Sequence, residues 1–74
     1  MNVITVSAVP GGWVVDHAPA RTPLMFLAGG KAEQKARELA QRACRRGLAA
    51  EVQIYDLAGR LAGRFRYGGE AASA

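Results

Sequence analysis

The sequence predicts a single small α+β domain with the element order βββαββ, a mainly antiparallel sheet and one helix packed on one face of that sheet. Five short segments have the alternating or short apolar patterns that are typical of strands, and one longer segment repeats small apolar residues at helical spacing. The chain has 74 residues, half of them apolar, which is enough for one hydrophobic core. We expect this domain to span residues 1–68 and the patternless residues 69–74 to be a disordered tail.

The first two strands are predicted over residues 2–9 and 12–18, joined by a tight turn. Pro10 fixes φ near about −65° at position i+1 of a turn, and Gly11 accepts the positive φ that a type II turn needs at i+2. The segment VPGGW therefore predicts a hairpin. In its second arm, side chains alternate between two faces, with Trp13, Val15 and His17 on one face and Val14 and Asp16 on the other.

The third strand is predicted over residues 24–28, LMFLA, a short apolar run between Pro23 and Gly29. A continuous apolar run indicates a strand with both faces at least partly covered.

The single helix is predicted over residues 31–46. Its apolar stripe is made of small residues, so the helix can lie close to the sheet: Ala32, Ala36, Leu39, Ala40 and Ala43. Glu33 and Glu38 each precede an arginine by four residues, a spacing that favours ion pairs along a helix. Gly47 is suited to the left-handed position that ends a helix, with Leu48 making the accompanying contact.

The last two strands are predicted over residues 51–55 and 60–67, with Gly59 in the left-handed position of a bulged hairpin loop. Val52 and Ile54 point inward. The outward side chains of the first arm are Glu51, Gln53 and Tyr55. In the second arm one face carries Leu61, Gly63, Phe65 and Tyr67, and the other carries Ala62, Arg64 and Arg66. The order of the strands in the sheet is left open by the sequence.

Three short motifs occur in a fixed order: GWVV at 12–15, ARELA at 36–40 and YDLAGRL at 55–61. With these motifs in this order and at this spacing, the chain resembles a small bacterial family of uncharacterised domains, domain of unknown function 2188. The resemblance extends from about residue 3 to Tyr67. The resemblance implies the fold and no activity. Members often carry threonine where this chain has Ala28, so the side-chain cap of the helix is expected to be lost, with Gly30 capping instead. The linker at 17–25 is also richer in proline and apolar residues than is typical of the family.

Several classes of site are disfavoured by composition. A single cysteine, Cys44, excludes an internal disulfide, and one histidine provides no cluster of ligands at metal-binding spacing. We therefore expect no metal, no cofactor and no catalytic residues, and no pattern identifies a small-molecule substrate. No segment approaches the roughly 20 apolar residues of a membrane span, and the N-terminus lacks the basic and apolar regions of a signal peptide, so we expect a cytoplasmic protein without a membrane partner.

The conspicuous loops have structural explanations. The turn before Trp13 lacks the following helix that a phosphate-binding loop requires, so we interpret it as a plain hairpin. Trp13 could stack on a partner, but it shares a face with Val15, which favours a core position. Cys44 borders the helix stripe and is expected to act as a small hydrophobic residue instead of forming a nucleophilic pair with His17, for which the sequence gives no role.

The leading functional hypothesis is a non-enzymatic, homo-oligomeric protein-interaction module, most simply a homodimer. One helix covers only one face of a sheet, so the apolar side chains of the other face need a partner. Val14 lies on that face with either Met25 and Leu27 or Leu24 and Phe26, and the interface residues that we select are Val14, Met25 and Leu27. Packing through strands one to three or pairing at a sheet edge would satisfy this hypothesis.

The alternative hypothesis is a nucleic-acid-binding module that uses a basic sheet face. The formal net charge is +4, and arginines with an aromatic neighbour on an open sheet provide phosphate contacts and stacking. Lys31 lies in the first turn of the helix, where free backbone N–H groups attract anions. The candidate residues for nucleic-acid or anion binding are Arg60, Arg64, Arg66, Tyr55 and Lys31.

Overall fold

A computed structural model describes residues 2–17 and 23–68 of the chain. The elements are β1 (Asn2–Val9), β2 (Gly12–His17), β3 (Leu24–Phe26), α1 (Gly29–Arg45), β4 (Ala50–Tyr55) and β5 (Leu61–Tyr67). The predicted βββαββ order and α+β class are confirmed. The predicted tail at 69–74 and the last residue of the second predicted strand, Ala18, lie outside the described residues.

The five strands form one mixed sheet in the order β3-β2-β1-β4-β5. β1 and β4 pair in parallel at the centre, and the other three pairs are antiparallel. The parallel pair arises because α1 provides the crossover that returns the chain to the middle of the sheet. β3 and β5 are left as the two edges of the sheet.

The core lies between α1 and the two central strands. Ala32, Ala36 and Ala40 have no exposed surface, and they pack against Val6 and Val52, which are 0% and 2% exposed. Alanine at these helical positions allows the helix axis to approach the sheet closely, as the small-residue stripe predicts. The larger stripe residue Leu39 and Trp13 of β2 are partly buried at the margin of this core.

The three predicted turns are confirmed by their backbone angles. Gly11, Gly47 and Gly59 have φ values of +87°, +79° and +80°. At the end of α1 the N–H of Leu48 donates to the carbonyl of Ala43 at 2.9 Å, and the N–H of Gly47 donates to that of Cys44 at 2.9 Å, the pair of bonds of a Schellman motif. These bonds turn the chain from the helix toward β4.

The hairpin between β4 and β5 is held by Asp56. Its Oδ1 accepts hydrogen bonds from the backbone N–H groups of Ala58 and Arg60, each at 2.9 Å. The register of the two strands is regular from Gly63 to Tyr67 but shifts beside Tyr55, which pairs with Leu61 instead of Ala62. The sequence predicts that side chains along β5 alternate strictly between the two faces of the sheet. This irregularity interrupts that alternation at Leu61.

Several local predictions are wrong. β3 has three residues instead of five, and Leu24 and Met25 are 38% and 66% exposed because β3 is an edge strand and not a covered one. The helix begins at Gly29, two residues early, with Ala28 as an N-cap that makes no side-chain bond, so Gly30 is not the cap.

The predicted ion pairs along the helix do not form. Glu38 lies 3.9 Å from Lys35, three residues before it, instead of pairing with Arg42. No ion pair joins Glu33 to Arg37, although both line a small gap of about 50 Å³ between α1 and β5. Exposed ion pairs of this kind contribute little to folding stability. Alternative pairings of the same side chains therefore differ only slightly in free energy.

Candidate functional site

The face of the sheet opposite α1, here called the open face, carries no second layer among the described residues. Cross-strand pairing shows which side chains share it. Val14 lies opposite both Ser7 and Met25, and a second row runs from Asp16 on β2 through Thr5 and Gln53 to Arg64 on β5. A third row joins Val3, Glu51 and Arg66. The open face is therefore apolar toward β3 and polar toward β5.

Hydrogen bonds tie the polar side chains of β4 into a ladder along the open face. The Tyr55 hydroxyl donates to Gln53 Oε1 at 2.7 Å, and Gln53 Nε2 donates to Glu51 Oε2 at 2.6 Å. Arg66 Nε of β5 donates to the other Glu51 oxygen at 3.0 Å. The Tyr55 hydroxyl, the Gln53 amide and both Glu51 oxygens thus each have a hydrogen-bond partner within one copy of the chain.

Glu51 is the feature of the open face that the sequence does not reveal. Alternation predicts it as an outward residue, and it does point to the open face, yet only 5% of it is exposed. Neighbouring side chains surround it, because Gln53 and Arg66 contact its two carboxylate oxygens. Strand alternation gives the face of a residue but not how deeply its neighbours bury it, so no sequence signal marks this position.

These contacts lower the pKa of Glu51 from its usual value of 4.5. The main cause is the hydrogen bond from Gln53, and the hydrogen bond from Arg66 together with the positive charges of Arg64 and Arg66 adds to it. Burial of the carboxyl acts in the opposite direction. The ionised form is therefore favoured in the folded protein.

The lowered pKa predicts an acid-dependent loss of stability. A carboxyl whose pKa is lower in the folded state stabilises the fold above its unfolded pKa of about 4.5 and loses that contribution as the pH falls through the folded pKa. The urea unfolding midpoint of the wild type should therefore fall more steeply below pH 4.5 than that of Glu51→Gln. Glu33→Gln removes a helix carboxyl outside the ladder and is the control. Parallel acid profiles of wild type and Glu51→Gln would contradict the prediction.

The excess positive charge lies on the helix and not on the open face. α1 together with Arg46 carries six lysine and arginine side chains against two glutamates. The remaining described residues carry three arginines, which are balanced by Asp16, Glu51 and Asp56. On the open face itself, Arg64 and Arg66 are balanced by Asp16 and Glu51. Counted over residues 2–17 and 23–68, the sheet face that the alternative hypothesis requires to be basic has no net formal charge.

The five candidate residues for nucleic-acid or anion binding do not form one surface. Arg64, Arg66 and Tyr55 share the open face, but Arg66 and Tyr55 are engaged in the ladder. Arg60 lies in the hairpin loop with its Nε 3.6 Å from Asp56 Oδ2. Lys31 lies in the first turn of α1, the element that packs on the opposite side of the sheet.

Two of the three residues selected for an interface are brought together. Val14 is half-buried and lies directly opposite Met25, so the register selects Met25 over Leu24 and Phe26 as its neighbour. Phe26 packs against the core and Leu24 lies opposite Val15. Leu27 is 92% exposed but follows the end of β3, outside the sheet.

The other conspicuous residues have structural positions. Trp13 packs against the core, close to the backbone of Gly29, where a Cβ would lie 2.9 Å from the indole ring. Cys44 is half-buried, and a Cβ added at Gly68 would lie 2.8 Å from its Sγ. His17 lines a cleft beside the C-terminal end of α1. Within residues 2–17 and 23–68, no three side chains of the metal-ligating types come together.

The fold and the open face define a class: a small α+β domain with one helix on a five-stranded mixed sheet and a hydrogen-bonded surface on the other side. No helix in the described part of the chain has the length and apolar character needed to cross a membrane. Comparisons with family models, curated proteins and solved structures found no match. The resemblance to domain of unknown function 2188 therefore stays a prediction from sequence motifs.

Proposed function

We propose that this chain is a non-enzymatic protein-interaction domain that forms a homodimer by packing the open faces of two copies against each other. The supporting observation is the neutral, hydrogen-bonded surface around Glu51. The proposal includes the cytoplasmic location that the sequence predicts.

A surface with paired polar groups is suited to burial. Docking a second layer removes water from every polar side chain beneath it, and an unpaired group then costs free energy. The Tyr55, Gln53 and Glu51 side chains already satisfy one another, with Arg66 completing the ladder. These hydrogen bonds already form in the monomer. Association therefore costs little further side-chain conformational entropy.

The charges of the open face are complementary to themselves. Asp16 on β2 and Arg64 on β5 lie at opposite ends of one cross-strand row. A two-fold axis parallel to the strands, between β1 and β4, would bring β2 of one copy over β5 of the other. Asp16 would then face Arg64 of the second copy at both ends of the row, a pairing that favours a second copy as the partner.

The apolar part and the area of the face fit a weak dimer. Val3 is 40% exposed on a face that also carries the half-buried Val14, and the second copy covers both. Met25 is 66% exposed but lies on β3, which this axis leaves beyond the β5 edge of the second copy. The four overlapping strands cover about 19 Å by about 20 Å, so two faces bury on the order of 800 Å². Interfaces of this size are weak and transient, and we expect a dissociation constant in the micromolar range.

The absence of net charge argues against the nucleic-acid alternative on this face. Phosphate binding depends on an excess of positive charge and weakens steeply with salt. Here Arg66 contacts Glu51, and Asp16 lies on the same surface. Salt-sensitive retention on DNA or RNA that is lost in Arg64→Glu, Arg66→Glu would support that alternative over the dimer.

The dimer is tested by charge reversal across the row. Sedimentation equilibrium of the full chain should show a monomer–dimer equilibrium that Asp16→Lys and Arg64→Glu each weaken by about tenfold, because like charges then face each other. Combining the two substitutions should restore much of the affinity, since opposite charges meet again. Arg45→Glu reverses a charge on the exposed side of the helix and should leave the dimer dissociation constant unchanged.

Two outcomes would overturn the proposed interface. One is a monomer at all concentrations up to tens of micromolar. The other is a dimer whose dissociation constant ignores both charge reversals, because that result assigns association to another surface, such as strand pairing at a sheet edge.

A further inference from the structure

A cleft on the helix side of the sheet lies apart from the open face. It is formed where the start of β1, the end of β2 and the last turn of α1 meet, and its volume is about 370 Å³. Small-molecule sites typically measure about 300–1,000 Å³, so the cleft is large enough for a small metabolite. Nothing in the proposed dimer uses it.

The polar lining of the cleft comes from three elements and, among the described residues, contains no carboxylate. β1 contributes Asn2, β2 contributes His17, and the C-terminal end of α1 contributes Arg42 and Arg46. The two arginines are four residues apart and therefore lie on the same side of the helix. Among the described residues, the ion pairs involve other side chains, and neither Arg42 nor Arg46 takes part in one.

The remaining lining is apolar, with Ile4, Leu39, Ala43 and Leu48. The Schellman motif fixes part of it, because the bond from Leu48 N–H to Ala43 holds the chain beside the helix end. An anion without an apolar part would leave these groups in contact with water. The cleft therefore fits a molecule that has a charged end and an apolar end.

We propose that this cleft binds a small organic anion, with its phosphate or carboxylate group held by Arg42 and Arg46 and its apolar part against Leu39 and Leu48. Guanidinium groups bind both oxyanions through paired hydrogen bonds. Asn2 and His17 add polar contacts from the opposite wall. The limited extent of the cleft favours a small molecule over a nucleic-acid strand, which would need an extended basic groove.

The helix end offers a matched control. Arg42 and Arg45 both lie in the last turn, where cations interact favourably with the helix dipole whether or not a ligand binds. Only Arg42 of these two lines the cleft. A role in helix stability alone would make the two positions equivalent, whereas a binding role separates them.

The proposal is tested by following amide chemical shifts of the isotopically labelled full chain. The chain is titrated with phenyl phosphate and, separately, with inorganic phosphate at constant ionic strength. We expect saturable shifts confined to residues around His17, Ala43 and Leu48, with phenyl phosphate binding at least about tenfold more tightly than inorganic phosphate. Arg42→Gln and Arg46→Gln should each weaken binding by about tenfold, and Arg45→Gln by less than about twofold.

Three results of the phosphate titrations would overturn the proposal: non-saturable shifts spread along the helix, equal binding of the two phosphates, or equal effects of Arg42→Gln and Arg45→Gln. The spectra of the variants report folding directly, so a loss of binding with an unchanged fold is interpretable. A single-stranded oligonucleotide that binds the wild type more tightly than phenyl phosphate, and loses binding in Arg42→Gln, would also overturn it. The dimer is tested with substitutions on the open face and the cleft with substitutions at the end of α1. Either proposal can therefore fail while the other holds.

Discussion

Gly12→Ala is expected to destabilise the domain by about 2–3 kcal/mol. A Cβ at position 12 would lie 2.5 Å from the carbonyl oxygen of Phe26, which is a backbone atom and cannot turn aside as a side chain can. β3 or the segment before α1 would have to move, and the packing of Phe26 against the core would loosen. Urea unfolding followed by circular dichroism measures the effect.

Gly30→Ala is the matched control for this substitution. Position 30 lies in the first turn of α1, and apart from its chain neighbours and the backbone of the helix itself no atom lies within 4 Å of the Cβ that alanine would add. Alanine is the better helix former, so this variant should be unchanged or more stable by about 0.5–1 kcal/mol. A Gly12→Ala variant as stable as Gly30→Ala would show that the approach of β2 to Phe26 does not constrain the fold.

Ala36→Leu is expected to destabilise the domain by about 2–3 kcal/mol, because the added carbon atoms enter a packed helix–sheet contact. Ala36 has no exposed surface and lies in the middle of the three alanines that face the central strands. The helix can accommodate leucine only by moving away from the sheet, which opens gaps beside its neighbours. Thermal and urea unfolding of the variant provide the measurement.

Gln41→Leu introduces the same side chain at an exposed position of the same helix and is the control. Its unfolding free energy should stay within about 0.5 kcal/mol of the wild type. Equal stabilities of the two leucine variants would contradict the conclusion that alanine at 36 sets the helix–sheet distance.

The elements and their faces could be predicted because local chemistry decides them. Positive φ at Gly11, Gly47 and Gly59 follows from residue type and position in each turn. Inward and outward positions along β1, β2 and β4 follow from the two-residue repeat of a strand. The errors fall at β3 and at the start of α1, where an apolar run and two glycines allow several boundaries.

The candidate sites could be predicted less well. Sequence placed Val14, Arg64 and Arg66 on the open face, but it could not tell that Glu51 is buried beside Arg66 and removes the net charge of that face. It gave no role to His17, which shares the cleft with Arg42 and Arg46. Both arrangements join residues that are far apart along the chain.

The sequence alone thus determines the order of the strands and helix along the chain, the turns and, except at the irregularity beside Leu61, the side of the sheet on which the strand side chains lie, because these depend on neighbours within a few residues. Only the tertiary structure decides the order β3-β2-β1-β4-β5 and, with it, which charges meet. The parallel pairing of β1 with β4 brings Glu51 beside Val3, while β5 supplies Arg66 from the other side. Charge neutralisation and cleft formation depend on distances across the sheet, which no local pattern specifies.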